Sequence, residues 1–247
     1  YIETPTNPMM EICDIRAISK IAKKNKCILV VDNTFMSPYN QRPIELGADI
    51  VMHSITKYLN GHSDVIGGIL VSNNNTLLEK LKFIQMSVGS VPSPFDCWIV
   101  QRSLKTLHVR MDRHNFNADK IAKHLIKSKK ISAIYYPGLT NHPNHKIAKK
   151  QQLNPKGVIV YGGMISIDLG SKKNARKFVK NLQIFTLAES LGGVESLVCH
   201  PASMTHASIP KKIRTNLGIT EGLVRLSVGI EDIDDLINDI DNSIKKL

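Results

Sequence analysis

Hydrophobic positions along the chain alternate between two periods. Ile12, Ile15, Ile18 and Ala22 recur at three- and four-residue spacing, the stripe of an amphipathic helix. Residues 27–32 follow as a continuous apolar run ending in Asp32, the pattern of a strand buried on both faces of a parallel sheet. Residues 49–53 and 68–72 read as further strands and 76–86 as a helix, so this part predicts a mainly parallel β/α succession. A long linking helix is expected to start near Pro94-Phe95-Asp96, run through Val109-Arg110-Met111, and break or bend afterwards. Beyond it, apolar runs at 131–136, 158–169 and 223–228 alternate with helical stretches at 175–182 and 233–244. That pattern predicts a small α/β domain with a largely antiparallel sheet. The fold class is therefore α/β, divided into residues 1–101 and residues 102–247 with the linking helix. No internal repeat or low-complexity tract interrupts it.

The candidate chemistry lies where strands end. The 49–53 run stops at Ser54-Ile55-Thr56-Lys57, two hydroxyls and then an amine. A lysine so placed can form a Schiff base with pyridoxal phosphate while Ser54 and Thr56 donate hydrogen bonds to the phosphate. Read alone, the stretch also fits a solvated lysine after a strand. In open α/β sheets ligands collect at the carboxyl ends of strands, so Asp32 and Lys57 face one crevice if their strands are neighbours. A carboxylate there can keep the cofactor's pyridine nitrogen protonated; the alternative for Asp32 is a cap of the next turn.

Four stretches in order extend these two signals: Glu3-Thr4-Pro5-Thr6-Asn7-Pro8, Val31-Asp32-Asn33-Thr34-Phe35, Ser54-Ile55-Thr56-Lys57-Tyr58 with Gly61-His62-Ser63-Asp64, and Glu189-Ser190-Leu191-Gly192-Gly193-Val194-Glu195-Ser196. Together they resemble the Cys/Met-metabolism pyridoxal-phosphate enzymes over the whole chain. Val91-Pro92-Ser93-Pro94 and the 105–111 stretch are most similar to the cystathionine γ-lyase branch. The resemblance implies a fold type I transferase-like architecture: part of a large mixed, mainly parallel cofactor domain, then a smaller C-terminal domain. It makes Lys57 the Schiff-base and proton-shuttling lysine and Asp32 the pyridine-nitrogen partner. It sets Ser54 and Thr56 near the phosphate and Asn7 near the ring hydroxyl. Arg225, in Gly222-Leu223-Val224-Arg225-Leu226-Ser227, corresponds to the arginine that grips the substrate α-carboxylate, for which a guanidinium fork is apt. Glu189 and Ser190 fall on the substrate-side loop.

The reaction so implied is α,γ-elimination of cystathionine, a small sulfur amino acid, to cysteine, 2-oxobutanoate and ammonia. Cystathionine γ-synthase and methionine γ-lyase activities are the chemical alternatives. A non-catalytic remnant serving as an assembly partner is an alternative of another kind. The resemblance further implies a homotetramer built from dimers. It also implies a segment before Tyr1 that carries a stacking aromatic ring and phosphate-binding groups. The chain is accordingly expected to be incomplete at its N-terminus and to hold the cofactor poorly by itself.

Composition modifies this picture little. The net charge is +12, and the excess lies in residues 101–247, with twenty-four Lys/Arg against twelve Asp/Glu. These lysines lack aromatic interleaving or a nucleic-acid motif, so solvated faces are expected rather than a nucleic-acid partner. His142 and His145 flank Pro143 with no third ligand nearby, so no metal site is expected. No apolar run reaches about 18 residues, which argues against a membrane span. Cys13, Cys27, Cys97 and Cys199 are widely spaced without a C-x-x-C, consistent with reduced thiols and a cytoplasmic location.

Overall fold

The apolar runs of the first hundred residues pair side by side. In the computed structural model, which describes residues 1–247, β1 (Ile2–Glu3), β2 (Val30–Asp32) and β3 (Ile50–Ser54) are parallel. β4 (Gly68–Val71) completes this sheet antiparallel to β3. α1 (Ile15–Lys24) crosses between β1 and β2, and its first turn is capped by Asp14, which accepts from the Ala17 amide at 2.9 Å. Ile15 packs with Leu29, Val31, Leu46, Ala48 and Val51, so the helical stripe and the strand runs share one apolar layer. The β2 strand is shorter than its apolar run because Asp49 Oδ2 takes the Leu29 amide at 2.8 Å. A short turn, α2 (Ser37–Asn40), follows β2. The β4 edge is open: α3 (Asn75–Val88) buries no residue, and Ile69, Leu70 and Val71 of β4 are 43%, 45% and 41% exposed.

The linking helix differs from expectation. The helix breaks at Lys105-Thr106 rather than after Met111, giving α4 (Pro94–Leu104) and α5 (Leu107–Leu125). The Ser103 carbonyl, which an unbroken helix would give to the amide of residue 107, is taken by the Thr106 hydroxyl at 3.0 Å and the Arg110 guanidinium at 3.1 Å.

The second sheet contains β5 (Ala133–Tyr135), β6 (Met164–Asp168), β7 (Thr186–Leu187), β8 (Leu197–Cys199) and β9 (Leu223–Ser227) in the order β5-β6-β9-β8-β7. All pairs are antiparallel except β7 with β8. Between these strands lie α6 (His145–Gln151), α7 (Lys172–Asn181) and α8 (Lys211–Asn216); α9 (Ile233–Lys245) ends the chain. Of the 158–169 apolar run only Met164–Asp168 joins the sheet; Gly162 turns the backbone at φ +81 just before it. α5, α7 and α9 cover one face and contribute Ile121, Phe178 and Ile240 to a core of 20 buried residues. A separate cluster, Met10, Phe35, Tyr58, Met111, Met164 and Leu191, joins the two sheets. No helix is long and apolar enough to cross a membrane.

His114 of α5 sits in this junction, edge-on to Tyr58 with ring centroids 5.1 Å apart, and its Nδ1 meets the Val228 carbonyl at 2.7 Å. Burial pulls its imidazole from 6.5 down to about 4. Between those two values the unfolded chain binds a proton that the folded chain refuses, so this contribution is complete above 6.5 and lost as pH falls towards 4. Urea midpoints measured across that interval are expected to fall with pH, and more shallowly in His114→Gln.

Candidate active site

Strand register brings Asp32 and Ser54 to the carboxyl ends of adjacent strands of the first sheet. Asp32 ends β2 and lies between Glu3 of β1 and Met52 of β3. Its Oδ1 accepts from the Thr34 amide at 3.0 Å and its Oδ2 from the Tyr1 hydroxyl at 3.0 Å. Ser54 ends the neighbouring strand, its amide held by Thr34 Oγ1 at 2.9 Å and its hydroxyl making no bond within the chain. The Thr56 hydroxyl accepts from the Gly67 amide at 3.0 Å and makes a longer contact, 3.4 Å, with the Gly67 carbonyl. Asp32 and Ser54 thus end adjacent parallel strands, and Thr56 follows in the turn after β3.

Lys57 occupies a π-turn over Ile55–Leu59 and is its one non-helical residue, at φ −98, ψ −133. That kink sends the half-buried amine towards the second sheet, where it meets Ser190 Oγ at 3.3 Å. Burial lowers the basicity of the amine, and the positive charge of Arg225 lowers it further. A larger neutral fraction is the form a nucleophile or proton acceptor needs.

Arg225 comes from the centre of β9 and is 1% exposed. One guanidinium nitrogen donates to Asn7 Oδ1 at 2.9 Å, the other to the carbonyls of Glu189 and Ser190 at 2.8 and 3.1 Å. The buried Nε has no partner. No carboxylate pairs with it, so its charge is cradled by neutral oxygens and remains available to an anion. Asn7 therefore contacts Arg225 through its oxygen, while its amide nitrogen makes no bond within the chain. Glu189 contributes its carbonyl, and its side chain is exposed.

Three neighbours were not foreseen from the sequence. The Glu3 carboxyl is raised to about 7, first by burial and then by the Asp32 charge. Buried His53 of β3 is held down to about 4 by desolvation, which outweighs the opposing pull of Asp32. Gly192 lies against Lys57 itself: at φ +73, a Cβ there would stand 2.9 Å from the Tyr58 amide nitrogen and 3.2 Å from Lys57 Cβ. The paired glycines of the 189–196 stretch are the only advance signal of that close approach.

Gly192→Ala combines a left-handed conformation, a cost of about 1–2 kcal/mol, with displacement of the lysine turn. Denaturant unfolding is expected to show that loss. In the same variant the Lys57 amine, followed by NMR after reductive methylation, is expected to titrate differently from wild type.

The family profile described as Cys/Met metabolism PLP-dependent enzyme matches residues 1–245. The chain is 54% identical over 246 residues to a cystathionine beta-lyase of Lactococcus lactis, covering 100% of this chain and 63% of that protein. It is also 54% identical over 247 residues to a cystathionine gamma-lyase of Dictyostelium discoideum, covering 100% and 62%. Among solved structures, cystathionine gamma-lyase from Lactobacillus plantarum complexed with L-serine superposes with a TM-score of 0.95 at 46% identity, covering 100% of this chain and 63% of that one. Cystathionine gamma synthase from Xanthomonas oryzae pv. oryzae in complex with cystathionine gives 0.94 at 46% identity, covering 99% and 62%. The chain spans less than two thirds of the length of these relatives. With a match over nearly its whole length, the chain belongs to the Cys/Met metabolism PLP-dependent enzyme family.

Proposed function

We propose that the protein bearing this chain is a pyridoxal-phosphate-dependent carbon–sulfur lyase that cleaves cystathionine by α,γ-elimination to cysteine, 2-oxobutanoate and ammonia. One observation carries the reading: the Lys57 amine, lowered in basicity, lies at hydrogen-bond distance from Ser190, whose carbonyl also binds the buried Arg225. Amine and guanidinium are thereby fixed relative to each other, as a reaction on an amino acid's α-carbon requires.

The residues fit the cofactor. Lys57 would anchor it, and Asp32 would keep a proton on the pyridine nitrogen. The unbonded Ser54 hydroxyl is free for the phosphate, whereas Thr56 must give up its 3.4 Å contact with Gly67 to reach it. Asn7 keeps its amide nitrogen for the ring hydroxyl while its oxygen orients Arg225. When bound, pyridoxal phosphate supplies a sink for the electrons left behind as substrate protons depart. Lys57 would accept the α-proton and, once relieved of it, a β-proton; the electron pair left at the β-carbon would form the β,γ double bond as the γ-sulfur departs as the thiolate. The lowered basicity of Lys57 raises the fraction of amine able to accept a proton. Arg225 would grip the α-carboxylate and so orient the substrate's α-carbon towards Lys57. Ser190 steers the amine, and Glu189 lies on the side of the substrate's distal end.

Residues 1–101 are assigned to the C-terminal portion of the cofactor domain and residues 102–247 to the small domain. The open β4 and α3 face is assigned to contact with the rest of a cytoplasmic homotetramer built from dimers.

A second reading is favoured by the equal identity to a beta-lyase: cleavage on the other side of the same sulfur, releasing pyruvate, homocysteine and ammonia. The test is product analysis with the complete protein on cystathionine, methionine and an acylated homoserine. 2-Oxobutanoate and cysteine from cystathionine, with turnover falling by roughly 10³-fold or more in Lys57→Ala, are the expected results. Arg225→Lys is expected to raise KM, because a point charge does not reproduce a two-pronged grip. Pyruvate as the main keto acid would establish the second reading, and new carbon–sulfur bonds from acylated homoserine the synthase reaction.

A further inference from the structure

Arg110, in the first turn of α5, is 3% exposed and joins no ion pair. Burial draws its guanidinium down to about 10, so it stays charged at neutral pH. A buried charge without a counter-ion is costly unless dipoles surround it. Here they do. Nε donates to the Thr106 hydroxyl at 3.0 Å, and the terminal nitrogens donate to the carbonyls of Tyr58 at 2.7 Å, Leu59 at 3.2 Å and Ser103 at 3.1 Å.

Those carbonyls share one property. Tyr58 and Leu59 end the turn that carries Lys57, and Ser103 is in the last turn of α4. Terminal carbonyls of helical turns lack helical partners and carry negative partial charge. The guanidinium thus closes two such ends together. The chain leaving the Lys57 turn is moulded to it as well: a Cβ on Gly61, at φ +73, would fall 2.2 Å from the Arg110 nitrogen that binds Tyr58. Arg225, not Arg110, is the charge that acts on the Lys57 amine, so any effect of Arg110 on that amine is geometric.

We propose that Arg110 is a positioning residue for Lys57. By binding the carbonyls of the two residues after it, Arg110 holds the kinked turn in the form that aims the amine at Ser190. The proposal rests on the reading of Lys57 as the cofactor-bearing lysine. Lysine at 110 cannot replace the guanidinium, since a single ammonium cannot span these carbonyls in a fixed fork.

The test compares the complete, cofactor-loaded protein with Arg110→Lys, which keeps the charge, and Thr106→Val, which removes the Nε bond together with the hydroxyl's own bond to the Ser103 carbonyl and leaves the guanidinium's carbonyl bonds in place. The readouts are amide hydrogen exchange, the visible absorbance of the bound cofactor with its pH titration, and kcat and KM on cystathionine. Arg110→Lys is expected to speed exchange across residues 55–61 by about tenfold or more while β6 and β9 keep their protection. It is also expected to lower kcat by roughly 10²-fold with KM within about threefold, the cost of a misplaced reacting group. The absorbance titration should shift with it, and Thr106→Val should give smaller changes in the same directions. Wild-type exchange in residues 55–61 together with wild-type kcat in Arg110→Lys would overturn the proposal. Should Arg110→Lys lose protection throughout, Thr106→Val decides: unchanged local exchange and kcat overturn it, while local loosening with a kcat loss supports it. Failure of the underlying reading is separate, because Lys57→Ala would then keep both the visible absorbance and turnover.

Discussion

Arg225 brings an uncompensated positive charge into the interior, and three distant stretches are shaped around it. Asn7 from the N-terminal loop supplies an amide oxygen, the 189–190 loop supplies two carbonyls, and β9 supplies the rigid backbone. Replacing any of these oxygens with a carboxylate would satisfy the guanidinium but neutralise it. Neutral acceptors instead offset part of the desolvation cost while leaving the charge able to attract an anion and to depress Lys57. A conventional buried ion pair could not do the second of these.

The same constraint explains why backbone crowds the lysine. For Lys57 to reach across to Ser190, the second sheet must approach the π-turn closely, and Gly192 allows this by carrying no Cβ against the Tyr58 amide. The Ser227 hydroxyl accepts from the Gly192 amide at 2.8 Å, which ties the loop to the strand bearing Arg225. Amine, loop and guanidinium therefore form one mechanical unit, although they come from two sheets.

What was legible in the sequence follows from the range of the interactions involved. α1, α7 and α9 have apolar stripes of helical period, and β2, β3 and β9 have apolar runs; each signal lies within its own segment. The carboxyl-end rule placed Asp32 and Ser54 together once those strands were paired. The strands β7 and β8, of two and three residues, are too short to show a period, and their place in the sheet is set by the pairing of β8 with β9 and of β7 with β8. The break between α4 and α5 was misplaced for a related reason. Thr106 and Arg110 compete for the Ser103 carbonyl, a contest of side-chain bonds that hydrophobic period does not register. The bond between Asn7 and Arg225 spans 218 positions, and no local pattern encodes it. Glu3 is similar: its raised carboxyl depends on pairing opposite Asp32, a property of register rather than of residue type.

The junction between the sheets combines two kinds of material. Its apolar part includes Met10, Met111 and Met164, unbranched side chains that fill irregular gaps without dictating a single fit. Its polar part is direction-specific: Lys57 to Ser190, Arg225 to Asn7, and the Val194 amide to the Gly61 carbonyl at 2.9 Å. Apolar burial supplies adhesion that tolerates small adjustments, whereas hydrogen bonds lose strength steeply with distance and angle. Relative placement of the two sheets is thus decided by the few polar bonds, and two of the three involve Lys57 and Arg225, the groups to which the chemistry is assigned. In this arrangement the registration of the two halves and the alignment of the site are the same physical condition.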